Sequence, residues 1–120
     1  MNTRAWGQST DMAEYVQVQT AVPSRDKGLE IARSVIDAHL AACAQVVGPI
    51  TSTYRWKGSV RVDEEYLLLM KTLADRYADL EEHIHRMHSY SVAEIISTPI
   101  HSGLAAYLTW MDEETRVSDV

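Results

Sequence analysis

The side chains best suited to hold a soft or borderline metal ion in this chain are Cys43 and the histidines His39, His83, His85, His88 and His101. Cys43 is the only thiol, so CxxC chemistry and an intrachain disulfide are both excluded. As a thiolate it would favour a soft ion such as Cu(I) or Hg(II). The commoner role of a lone cysteine so placed is a small buried hydrophobe opening a strand. His85 and His88 stand three residues apart and could share one side of a helix end. Two imidazoles are a weak site without a carboxylate, and Glu94, across the following loop, is the best candidate to complete it. His83 and His85 otherwise read as part of a solvated helix face. Lys71 closes an apolar strand, an unusual place for a charge. It either pairs with Glu65 or Glu94, binds an anion, or buries its stem in a structural ion pair. Tyr90, Tyr107 and Trp110 either line a ligand crevice or belong to the core.

Catalytic alternatives find less support. No GxSxG stands in the sequence to present an activated serine. Phosphate cleavage of the acylphosphatase kind needs an Asn to position water, and the only Asn is Asn2. Hydrolysis by a His88–Glu94 pair is the one enzymatic reading left. With 11 basic against 17 acidic residues, a phosphate-gripping surface is not expected, and no nucleic acid partner is expected either.

The elements that must position these groups follow from periodicity. Glu14 to Val22 alternates as a strand, with Val16, Val18 and Thr20 on one side. Ser24 is the expected N-cap of a helix over Arg25 to Leu40, whose apolar stripe reads Leu29, Ala32, Val35, Ile36, His39 and Leu40. Ala42 to Val47 is a short strand ended by Gly48-Pro49. Thr51 to Lys57 and Val60 to Lys71 form a long hairpin turning at Gly58-Ser59. Thr72 to Met87 is a second helix with Tyr77, Leu80, Ile84 and Met87 as its stripe. Glu94 to Ile100 is a last strand, and Leu104 to about Glu114 a closing helix. The order is the β-α-β-β-α-β ferredoxin-like plan with one extra helix, an α+β class. Residues 14–114 are expected as one domain, with tails over 1–13 and 115–120. The longest apolar run, Tyr66 to Met70, is too short to span a bilayer, and the first residues lack the apolar centre of a secretory signal. The cytoplasm is the expected compartment, and no membrane partner is expected.

That run carries the assembly argument. Side chains of a strand alternate between faces, so Tyr66, Leu68 and Met70 point one way and Leu67 and Leu69 the other. Helices cover only one face of such a sheet. Leaving the second set in water would forgo ~1.5–3 kcal/mol per side chain. Either the closing helix covers it or another copy of the chain does, and the size of the surface favours another copy. Tyr54 and Trp56, on arms longer than the helices can cover, point the same way.

Five segments together resemble the CutA family of divalent-cation-tolerance proteins. They are Leu40-Ala41-Ala42-Cys43-Ala44-Gln45-Val46-Val47, Tyr54-Arg55-Trp56-Lys57-Gly58, Glu64 to Thr72, His88-Ser89-Tyr90-Ser91-Val92-Ala93-Glu94-Ile95, and Tyr107-Leu108-Thr109-Trp110. The resemblance implies a tight trimer built like the PII signalling proteins and a role in tolerance of copper and other divalent ions. It implies clefts between subunits that hold Cys43, Lys71, His88, Tyr90, Glu94, Tyr107 and Trp110, with Cys43, His88 and Glu94 as metal donors. Tyr54, Trp56, Leu67 and Leu69 would then lie at the trimer interface. It also raises a signalling version, in which the trimer docks on a larger protein partner. Ser89 and Ala93 stand where the family usually carries prolines, Ser91 where it often carries Glu, and Leu104 where it usually carries Asn. The first pair should loosen the loop from His88 to Glu94, and the last should shift a helix cap to Ser102.

Overall fold

The computed structural model describes residues 14–116. The expected tail over 1–13 and the last residues, 117–120, lie outside the described residues. Strand β1 (Tyr15–Val22) buries Val16, Val18, Thr20 and Val22 on one face, as its alternation requires. Helix α1 (Arg25–Asp37) follows, with the Ser24 hydroxyl accepting the Lys27 amide at 3.1 Å as the N-cap.

The buried stripe of α1 is Gly28, Ile31 and Val35, rotated from the one expected. Leu29 is 43% exposed, and His39 lies past the helix end with φ 59, exposed. The reason is the close approach of the helix to the sheet. A Cβ on Gly28 would stand 3.2 Å from Val46 Cγ2, so the glycine faces down and its neighbour turns outward.

Strand β2 (Cys43–Trp56) does not end at Gly48-Pro49 as expected; it runs through with a register shift between Val47 and Ile50. Gly48 is needed there, because a Cβ would stand 2.7 Å from the Tyr66 ring. The hairpin turns at Lys57-Gly58, one residue earlier than expected, with φ values of 50 and 82 that suit a two-residue primed turn. Strand β3 (Ser59–Leu73) therefore reaches past Lys71. Thr72, expected to start a helix, is instead a buried strand residue whose hydroxyl donates to the Leu40 carbonyl at 2.8 Å. A single 3-10 turn, Ala74–Arg76, leads into helix α2 (Tyr77–Met87). Strand β4 (Ile95–Pro99) and helix α3 (Ala105–Glu114) complete the chain. Leu104 precedes α3 with no side-chain cap, so the expected shift of the cap to Ser102 does not occur.

The sheet order is β2-β3-β1-β4, antiparallel throughout, which is the ferredoxin-like plan. On one face Ile31, Val35, Leu80 and Ile84 of α1 and α2 close on Val18, Leu68 and Met70 of the sheet, all fully buried. On the other face the strand registers align Gln45, Leu69, Gln19 and Ile96 across the sheet. Leu67 and Leu69 are only half-buried, and Ile96 is exposed. The arm formed by β2 and β3 projects beyond both helices. From Thr51 to Glu64 every residue is exposed except the half-buried Ser52 and Asp63. The radius of gyration is 15.7 Å, against roughly 13 Å for a compact domain of this size.

Candidate functional site

The sequence-selected side chains divide into two groups. The first gathers where β2 begins. Cys43 and Lys71 are register partners, and Tyr107 of α3 sets its hydroxyl against the Cys43 sulfur. Burial and the neighbouring thiol push the Tyr107 pKa up. Trp110 packs against Tyr107 with ring centroids 5.3 Å apart. Of the alternatives for Lys71, the ion pair with Glu65 or Glu94 does not form; its Nζ donates to Gln45 Oε1 at 2.6 Å. The reason is register: Gln45 lies diagonally across the ladder, within reach of an ammonium, while Glu65 lies six residues away along β3.

The second group is a strap, residues 88–94, that wraps the end of β1 onto the open face. His88 Nδ1 accepts the Tyr90 amide at 3.1 Å, which fixes Nε2 as the protonated nitrogen. Nε2 donates to the Ala21 carbonyl at 2.9 Å, with Thr20 Oγ1 at 3.0 Å. Burial pulls the His88 pKa below its usual range, with Lys27 and His85 adding to the effect against the Ala21 carbonyl and Glu65. Glu94 accepts from Gln19 Nε2 at 2.6 Å, and the Ser91 carbonyl lies 3.5 Å from His85 Nε2. Hydrogen bonds at His88, Tyr90, Ser91 and Glu94 hold the loop to the body of the subunit.

Two side chains take roles other than those their spacing suggests. Glu65, 8% exposed, receives the Tyr90 hydroxyl at 2.9 Å, and burial together with this carboxylate pushes the Tyr90 pKa up to about 12. Its parity with Leu67 and Leu69 was the available signal, since it puts the carboxylate on the open face. His83, read as solvated, is half-buried with Nε2 2.7 Å from Ser34 Oγ, joining α2 to α1. Between the strap and the arm lies an open groove of about 810 Å³, with Tyr54, Trp56, Glu65 and Tyr90 among its walls.

Cys43 and the strap are far apart within one chain. Lys71, beside Cys43, is four residues along β3 from Leu67, the partner of Ala21, which is roughly 13 Å at strand rise. Among the described residues no three His, Cys, Asp or Glu side chains stand close enough to hold a metal ion. Both nitrogens of His88 are engaged as well. One subunit alone therefore does not form the Cys43–His88–Glu94 donor set.

The geometry defines a ferredoxin-like α+β protein with its polar chemistry along an open sheet face and a projecting arm. The chain belongs to the CutA1 divalent ion tolerance protein family, whose model matches residues 16–114. A Thermus thermophilus relative named divalent-cation tolerance protein CutA is 41% identical over 104 residues, 87% of this chain and 99% of that protein. A chloroplastic CutA of Arabidopsis thaliana is 38% identical over 109 residues, which is 91% of this chain but only 60% of the relative's length. The crystal structure of CutA1 from Oryza sativa superposes with a TM-score of 0.84 at 38% identity, covering 92% of this chain and 99% of that one. No helix among the described residues is long and apolar enough to cross a membrane.

Proposed function

We propose that this protein is a cytoplasmic homotrimer that contributes to divalent-cation tolerance by binding a cation, copper foremost, in clefts between its subunits. The observation that carries the reading is the sheet with one face sealed by α1 and α2 and the other met only by α3 at one end, which leaves Leu67 and Leu69 half-buried and Ile96 exposed. Tyr54 and Trp56 on the arm, 40% and 39% exposed, extend the same uncovered apolar surface. Tyr54, Trp56, Leu67 and Leu69 are therefore the interface residues of the proposal. Cys43, Lys71, Tyr107 and Trp110 from one subunit and His88, Tyr90 and Glu94 from the next line the cleft. Donors drawn from two subunits answer the separation of Cys43 from Glu94 within one. His88 joins them only by giving up the Tyr90 amide.

The role is binding rather than catalysis. A general base needs a free lone pair near its substrate, and the Nδ1 lone pair of His88 is taken by a backbone amide. The same trimer acting as a signalling adaptor on a larger protein partner is the second reading, favoured by the extent of exposed arm beyond the helices. Calorimetric titration with Cu(II) tests the metal part. Stoichiometric binding that Cys43→Ser or His88→Ala abolishes supports it, and binding indifferent to both removes these donors. A pull-down with and without copper separates the adaptor reading, which requires a partner captured in one condition only.

A further inference from the structure

Helix α3 is fastened at one end only. Met111 and Thr115 are buried, while every residue from His101 to Tyr107 is exposed. At the fastened end the Thr115 hydroxyl donates to the Met111 carbonyl at 2.9 Å, and His39 Nδ1 stands 3.1 Å from the Glu114 carbonyl. At the other end Leu104 supplies no side-chain cap to the first amides. Yet it is the less secured part, through Tyr107, that lies on the half-buried Cys43 thiol.

His39 brings the fastening from another element. The turn that ends α1 is closed by two hydrogen bonds, from the His39 amide to the Ile36 carbonyl and from the Leu40 amide to the Val35 carbonyl, both 3.0 Å. Glycine is the usual occupant of the left-handed position in such a turn. Here a histidine holds it at φ 59, against the crowding of its own β-carbon. What glycine would lack is the ring. A carbonyl oxygen only accepts, so Nδ1 carries the proton and donates to a carbonyl that α3 cannot pair within itself. Arg76 Nη2 donates to the His39 carbonyl at 3.3 Å, which ties the same turn to the 3-10 segment before α2.

We propose that His39 is a positioning residue, and that α3 is a lid over Cys43 whose fixed end is the His39–Glu114 hydrogen bond. With that bond made, Tyr107 stays against the sulfur and Trp110 stays packed on Tyr107. With it broken, the helix keeps only Met111 and Thr115 as anchors and lifts from the thiol. Entry of a soft ion or an electrophile to Cys43 is thus set from the α1 turn. This goes beyond the cleft reading, because it concerns access to the thiol within one subunit, whatever Cys43 binds.

Alkylation by iodoacetamide of Cys43, the only thiol in the full chain, tests it. His39→Gly keeps the turn and removes the donor. It should raise the alkylation rate about three- to tenfold, as the loss of one such hydrogen bond would. The urea midpoint should stay the same or rise, because glycine relieves the left-handed backbone. His39→Asn tolerates the same φ and offers an amide N–H where Nδ1 stood, so it should return the rate to near that of the wild type. A glycine variant alkylated no faster than the wild type overturns the latch. An asparagine variant as fast as the glycine one overturns it too, and so does a rate that rises only in step with a falling urea midpoint.

Discussion

The two faces of one sheet answer different demands. Leu68 and Met70 point into a seam closed by α1 and α2 and are fully buried, while Leu67 and Leu69, their immediate neighbours, remain half-buried on the open side. The same strand thus serves a core that is complete within the chain and a surface that is not. Burial inside one chain stabilises the subunit, whereas burial between chains makes stability depend on concentration.

Substitutions on adjacent residues sharpen this contrast. Leu68→Ala should destabilise the protein by about 2–5 kcal/mol in urea unfolding, whatever the protein concentration. Leu69→Ala removes the same atoms from the other face and should act mainly at low concentration, where copies separate. Equal, concentration-independent losses would break the comparison.

The strap is the next place to press. Tyr90→Phe removes the hydrogen bond to the buried Glu65 carboxylate and should cost about 1–3 kcal/mol in the same unfolding experiment. Pairing it with Glu65→Leu removes both partners and should recover most of that loss. On the helix-covered side, Ser24→Ala deletes the α1 cap and should cost about 1 kcal/mol, with no change in oligomer mass.

The smallest effect is a pH dependence. The pKa of His88 is depressed below its ordinary 6.5 by burial, so the unfolded chain binds the extra proton first. Stability from neutral His88 is then full above about pH 6.5 and declines as the pH falls toward the folded-state value. The protection of the Tyr90 amide, whose N–H bonds His88 Nδ1, should fall over that window once its exchange rate is referred to the intrinsic rate at each pH. The response should vanish in His88→Asn.

Periodicity made the topology legible. Alternation marked β1 and the arm half of β2, the helical stripe of α2 fell on Leu80 and Ile84, and Ser24 marked the start of α1. What periodicity could not give was phase and register. Ile31 rather than Leu29 faces the core because Gly28 lets α1 lie close on Val46. A turn signal at Gly48-Pro49 proved to be a register shift inside one strand, since backbone pairing with β3 resumes at Ile50. The site was legible residue by residue and not as a constellation. Cys43, Lys71, Tyr107 and Trp110 do meet, but His88 and Glu94 stand elsewhere on the sheet. Spacing along the chain reports neither which lone pairs the backbone occupies nor which charges find no partner.

Sedimentation equilibrium of the purified chain over a hundredfold range of concentration is the most direct measurement of what covers the open face. The expected result is a species of three chain masses that holds across the range and dissociates when Trp56 and Leu69 are both replaced by Ser. A folded single subunit at every concentration would contradict it.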